Sequence, residues 1–202
     1  MSLAGNIDFY FDFTSPYSYL LSEKIDALAG RFERKVRWHP ILLGVIFQHI
    51  GSKPPAEVPL RNAYMQRDVL RSASYLGVPF RWPARFPIPT QAAARTFYWL
   101  HATDCALARR FAHAAFRALF MEDRDISSPE LVVDIAADLG VDREALSAAL
   151  ATPELKNQLK LACTQALEKG VFGAPYVIID GEAYWGVDRL PQMEHQLATG
   201  GR

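Results

Sequence analysis

The stretch from Ile7 to Leu20, Ile-Asp-Phe-Tyr-Phe-Asp-Phe-Thr-Ser-Pro-Tyr-Ser-Tyr-Leu, constrains the fold more than any other, because the apolar period changes there. Ile7, Phe9, Phe11 and Phe13 alternate with Asp8, Tyr10 and Asp12, the period of a buried strand. Beyond it Leu21, Ile25, Leu28 and Phe32 recur at helical spacing, while Glu23, Lys24 and Asp26 fall elsewhere. Ser15 stands where an N-cap belongs and Pro16 at the first helical position. A helix N-terminus presents unpaired N–H groups and partial positive charge, so a thiolate or carboxylate docks there well. On this stretch alone the plain cap is the favoured reading of Ser15, and the rest of the chain decides.

Lys35 to His39 reads as a second strand, stopped by Pro40, so strand, helix and strand form a right-handed parallel unit. A short apolar helix over 41–50 leads into the rigid loop Gly51-Ser52-Lys53-Pro54-Pro55. Leu60 to Leu76 is helical and closed by Gly77. The next segment carries Pro79, Pro83, Pro87 and Pro89 among Phe80, Trp82 and Phe86, and is expected to be an ordered aromatic loop. Thr90 to Thr103 gives a helix, and Leu107, Phe111, Ala114 and Ala118 give the next its inner face. Ser127-x-x-Glu130 offers a capping box, with Leu131, Ile135 and Leu139 as a buried stripe and Gly140 as the stop. Asp142 and Thr152-Pro153 open two further helices. Strand character returns at Tyr176 to Ile179, joined to Glu182 through Trp185 by the hairpin signal Asp180-Gly181. A last helix is expected over 189–197, capped by Asp188.

Strands at both ends separated by a long helical middle imply an α/β chain with one mixed sheet, a thioredoxin-like layout interrupted by a large all-helical insertion. The expected division is a discontinuous domain of residues 1–50 and 166–202 around an insertion of 51–165. Half of the 202 residues are hydrophobic, and 22 basic residues balance 22 acidic ones, which gives no electrostatic case for nucleic acid or an anionic membrane. Met1 to Asn6 lacks the charged head and apolar run of a signal peptide, and nothing approaches the roughly 20 apolar residues of a membrane span, so the cytosol is expected. Cys105 and Cys163 form no Cys-x-x-Cys pair and read as ordinary cysteines; the five histidines show no metal spacing.

Two local features sit where a thioredoxin-like layout needs them. Ser15-Pro16-Tyr17-Ser18 occupies the strand-to-helix junction where redox members carry two cysteines, and Gly173-Ala174-Pro175-Tyr176 places a proline before the hairpin strand, as the cis-proline of that fold does. With 12–20, Lys53-Pro54-Pro55, Tyr64-Met65-x-Arg67-Asp68, Gly77-Val78-Pro79-Phe80, Gly170 to Pro175 and Trp185 to Leu190, the chain resembles the 2-hydroxychromene-2-carboxylate isomerases, relatives of the kappa-class glutathione transferases within the DsbA-like group. The resemblance implies bound glutathione with its sulfur against Ser15, its peptide backbone against Ala174 beside Pro175, and its γ-glutamyl end against Trp185, Gly186, Val187 and Asp188. It also implies a homodimer and an aromatic acid as substrate. Two positions depart from the family pattern: Ser52, where relatives often carry Asn, and Val187, where they often carry a small polar residue.

Serine has no sulfur to exchange, so the motif runs no thiol–disulfide chemistry of its own. A borrowed thiol of ordinary pKa about 8.5 falls to roughly 3.5–7.5 at a helix N-terminus, and the Ser15 hydroxyl can add a charge-assisted hydrogen bond. The implied reaction is a reversible addition that opens the chromene ring and restores the thiol. A kappa-type transferase, or a non-catalytic thioredoxin-like binding protein, fits the same residues. Lys53, beside Ser52, either holds a substrate carboxylate or is a solvated loop lysine. Trp82 and Phe80 either line an aromatic pocket or pack their loop onto the core. Arg67, Arg71, Arg81 and Arg85 attract an organic acid or only solvate their helix faces and loop.

Overall fold

The structure is a computed structural model that describes residues 6–200. Residues 1–5, and with them most of the segment weighed above as a leader, lie outside the described residues. In chain order the elements are β1 (Ile7–Phe11), α1 (Pro16–Gly30), β2 (Val36–Pro40), α2 (Leu43–His49), α3 (Pro59–Leu76), α4 (Gln91–His101), α5 (Cys105–Phe120), α6 (Pro129–Ala137), α7 (Arg143–Ala151), α8 (Pro153–Glu168), β3 (Tyr176–Ile179), β4 (Glu182–Trp185) and α9 (Leu190–Thr199). Among the described residues the sheet runs β2-β1-β3-β4, with β1 parallel to β2 and antiparallel to β3, and β3 antiparallel to β4. This is the thioredoxin-like mixed sheet with a large helical insertion.

β1 is buried along its whole length because both faces are covered. Phe9 and Phe11 meet Trp38 edge-on, Phe11 also meets Phe97 of α4 and Phe116 of α5, and Phe13 meets Phe111 and Phe116. One cluster of buried side chains joins the sheet to the helices of the middle segment. On the other face of β1, Asp8 accepts hydrogen bonds from Arg37 and His39, both at 2.7 Å, and Tyr10 stacks on His39. The β3–β4 turn has positive φ at both Asp180 (52°) and Gly181 (92°), the primed geometry that the Asp-Gly pair signals.

Several boundaries differ from the sequence reading for local reasons. The strand ends at Phe11, since Asp12 turns the chain to accept the Ser15 N–H at 2.9 Å. Helix α6 is capped by Ser128, whose hydroxyl accepts from Leu131 N at 3.2 Å, while Ser127 bonds Asp125; the capping box at Ser127 does not form. The buried residues of α6 are Val132, Val133, Ile135 and Ala136, and α5 turns in Ala108, Phe111, Ala112 and Ala115, so Leu131, Leu139, Leu107 and Ala114 are only half-buried. Asp188 lies inside a 3₁₀ turn (Val187–Arg189) that precedes α9, and does not cap that helix.

Two measurements test this architecture. Replacing Phe11 with Ala removes a fully buried ring from the aromatic cluster and is expected to lower unfolding free energy by about 3–5 kcal/mol in denaturant titration. Burial pushes the Asp8 carboxyl up, but hydrogen bonds and charges from His39 and Arg37 outweigh it and hold the pKa at about 2. A carboxylate lowered in the folded state stabilises above its ordinary range and loses that contribution as pH falls, here between about 4 and 2. Asp8→Asn should remove an acid-side slope on the order of 2 kcal/mol, read from melts across that window.

Candidate functional site

The chain folds a cavity of about 980 Å³ at the end of β1 where α1 begins. Ser15 has an extended backbone and caps α1: its Oγ accepts from Ser18 N at 3.1 Å, with Pro16 inside the helix. The same hydroxyl donates to the carbonyl of Ala174 at 3.1 Å. The Ala174-Pro175 peptide bond is cis, and the Pro175 carbonyl accepts from Gly186 N at 3.0 Å. The structure therefore brings Ser15, Ala174, Pro175 and Gly186 to one corner, and Trp185, Val187 and Asp188 border the same cavity.

Close backbone approach shapes this corner. A Cβ on Gly173 would stand 2.6 Å from Trp185 Nε1, and one on Gly186, whose φ is +106°, would stand 2.4 Å from Asp188 Oδ1. The Trp185 indole lies edge-on to Phe172, both rings partly exposed. Asp188 pairs with Arg189 at 3.0 Å.

The cavity is also bordered by Ser52 and Lys53 from the loop after α2, and by Arg61, Tyr64, Met65 and Asp68 of α3. Lys53 and Arg61 make no ion pair within 4 Å among the described residues, so two cations border the space uncommitted. Tyr17 donates to Asp68 at 2.7 Å and Arg71 to the other carboxylate oxygen at 2.8 Å. Burial raises the Tyr17 phenol, and Asp68's bond and charge raise it further, so it stays protonated. Burial pushes Asp68 up, but the bonds from Arg71, Tyr17 and Tyr64 hold it below the usual carboxylate range.

Trp82 does not reach the cavity. Its Nε1 donates to the Gln66 carbonyl at 3.2 Å, and its ring meets Phe80 and Phe86, of which only Phe86 is in the cavity wall. Phe80 stacks on Phe120, on the core side. The sequence reading gave no site role to Arg61, and it weighed the proline-rich loop as a pocket lining through Trp82 and Phe80, whereas the segment that borders the cavity is Phe86-Pro87-Ile88-Pro89, where Phe86-Pro87 is a second cis peptide. It also missed Asp12, which hides as a polar position of an alternating strand yet is buried at the cavity floor.

Residues 6–198 match the DSBA-like thioredoxin domain. The chain belongs to this family. Among its curated relatives is a 2-hydroxychromene-2-carboxylate isomerase of Sphingobium xenophagum, 33% identical over 96% of this chain and 99% of the relative. Another is glutathione S-transferase kappa 1 of Homo sapiens, 25% identical over 96% of this chain and 92% of that one. A solved 2-hydroxychromene-2-carboxylate isomerase structure superposes with a TM-score of 0.87 at 27% identity, covering 96% of this chain and 95% of that one. The chain is thus similar over nearly its whole length to enzymes named as isomerases and as glutathione transferases, within the DSBA-like family. No helix among the described residues is long and apolar enough to cross a membrane.

The glycine beneath the indole gives a direct test. Gly173→Ala should leave the fold standing, because Trp185 is 56% exposed and free to swing away. A crystal structure of the variant is expected to show Trp185 displaced, with the thermal midpoint lowered by less than about 4 °C, the equivalent of about 1 kcal/mol at this chain length.

Proposed function

We propose that this enzyme binds glutathione at the Ser15 corner and isomerises 2-hydroxychromene-2-carboxylate, or a related bicyclic aromatic acid, to trans-o-hydroxybenzylidenepyruvate. The observation that carries this reading is the meeting of the Ser15 hydroxyl, the α1 N-terminus and the cis-Pro175 segment in one cavity wall. The donor set suits the tripeptide. A helix N-terminus and a hydroxyl favour an anionic sulfur, the main chain at Ala174 suits a peptide once Ser15 releases its carbonyl, and Asp188 suits an α-amino group.

Bound there, glutathione supplies a thiolate nucleophile that adds reversibly to a conjugated carbon and is released unchanged. The chain's own part is to hold and orient. Ser15 turns its proton from the Ala174 carbonyl toward the sulfur, which also frees that carbonyl to accept an N–H. Trp185, Gly186, Val187 and Asp188 hold the γ-glutamyl end. Ser52 and Lys53, which border the same cavity, meet the substrate carboxylate, and Trp82 acts only from behind Phe86. The relatives named kappa transferases favour one second reading, conjugation of glutathione to an electrophile at the same corner. By the family resemblance we expect a homodimer in the cytosol, and the largely exposed Leu60, Tyr64 and Tyr75 on α3 offer apolar area for a partner copy.

An assay of enzyme, glutathione and the chromene acid separates the readings: ring opening without thiol loss supports the isomerase, and thiol consumption the transferase. Glutathione at 100 times its dissociation constant is expected to stabilise the fold by about 2.7 kcal/mol, and no shift at millimolar levels defeats the proposal. Ser15→Ala should lower turnover about 10- to 100-fold, the worth of a hydrogen bond to a charged group, while costing the fold only about 1 kcal/mol as a lost cap.

A further inference from the structure

We propose that Asp12 is a positioning residue: its buried carboxylate gathers three separate chain segments into the substrate-side wall of the cavity. The inference rests on the isomerase reading for its kinetic test, and on the hydrogen-bond pattern alone for its structural one.

Asp12 is 2% exposed. Its Oδ1 accepts from Thr14 N at 3.0 Å and from Thr90 Oγ1 at 2.7 Å, and its Oδ2 accepts from Leu43 N at 2.7 Å. These donors belong to the motif turn, the head of α4 and the head of α2. Neither helix is capped by the side chain of its own N-cap residue: Leu42 has no acceptor, and Thr90 gives its hydroxyl to Asp12 instead. The carboxylate therefore caps α2 directly, through the Leu43 N–H, and at α4 it holds the hydroxyl of the N-cap residue, with its negative charge close to the partial positive charge of both N-termini. Thr14 extends the arrangement, since its Oγ1 accepts from Ile88 N at 3.3 Å and so ties in the Pro-rich wall. Asp12, Thr14, Leu43, Ile88 and Thr90 all border the cavity.

Stability alone does not account for a carboxylate here. Burial pushes the Asp12 carboxyl up, and the bonds from Thr90, Thr14 and Leu43 only partly oppose it, so its ionised form is held at a cost to folding. The other titratable group against it is the buried Cys163 thiol of α8, whose Sγ accepts from Leu42 N at 3.4 Å, which gives Asp12 no compensating positive charge. What the carboxylate supplies, and a neutral side chain of similar size does not, is acceptance by both oxygens at once from three donors.

Asp12→Asn keeps the shape and loses one acceptor, and Thr90→Val removes a single donor where Thr90→Ser retains it. The expected result for Asp12→Asn is a folded protein whose glutathione-induced thermal shift matches wild type, but whose kcat/KM for the chromene acid falls at least tenfold, chiefly through KM. Thr90→Val should fall in the same direction by less, and Thr90→Ser should recover. Hydrogen exchange supplies a readout independent of activity: the amides of 43–48 and of Phe86, Ile88, Thr90 and Gln91 should exchange at least tenfold faster in Asp12→Asn, with β1 and α1 unchanged. Unchanged exchange in those two segments overturns the proposal, as does loss of the glutathione shift together with uniform loosening of β1. If wild-type protein shows no glutathione shift while the local exchange change appears, the isomerase reading fails and the positioning role stands.

Discussion

The antiparallel pairing of β1 with β3 is the interaction on which the site depends. Ile7 aligns with Ile179 and Tyr10 with Tyr176, so the ends of these two strands bring Ser15 within a hydrogen bond of Ala174. Neither residue has the other as a sequence neighbour, and no local propensity joins them. The aromatic burial of β1 supplies the driving force: a strand with two covered faces must take partners on both edges, and the hairpin strand is one of those partners.

What the sequence made legible was whatever a short-range rule decides. The alternation of Ile7 to Phe13, the Ser15-Pro16 start of α1, the Asp180-Gly181 turn and the left-handed Gly77 each follow from residues within a few positions, and the element order then implied the sheet. The readings that failed did so where two local candidates competed or a distant group intervened. Ser127 and Ser128 are equivalent by composition, and Asp125 drew the first of them away from the helix. Thr90 is a good N-cap by type, yet its hydroxyl goes to a carboxylate 78 positions earlier in the sequence. Trp82 sits in a loop whose course is decided by Phe86 and Gln66, so its position could not be read from spacing.

The cavity divides by chemistry as well as by position. Around Ser15 the groups are main-chain atoms, a hydroxyl, Gly173 close against the Trp185 ring and Gly186 close against the Asp188 carboxylate, which suits an extended peptide-like ligand. Elsewhere in the lining Lys53 and Arg61 offer charge, along with prolines and apolar side chains, which suits a flat organic acid. The two halves meet at the motif turn, where Asp12 anchors one side through its carboxylate and Ser15 serves the other.

The two cysteines stand in opposite surroundings: Cys105 is exposed at the head of α5, while Cys163 is buried in α8 with its thiol pushed up by burial. For a probe chemist this amounts to a single addressable handle. A maleimide dye or spin label placed on Cys105 decorates the outside of the helical segment without any prior mutagenesis, and the second sulfur stays silent for as long as the interior around α2 and α8 remains closed.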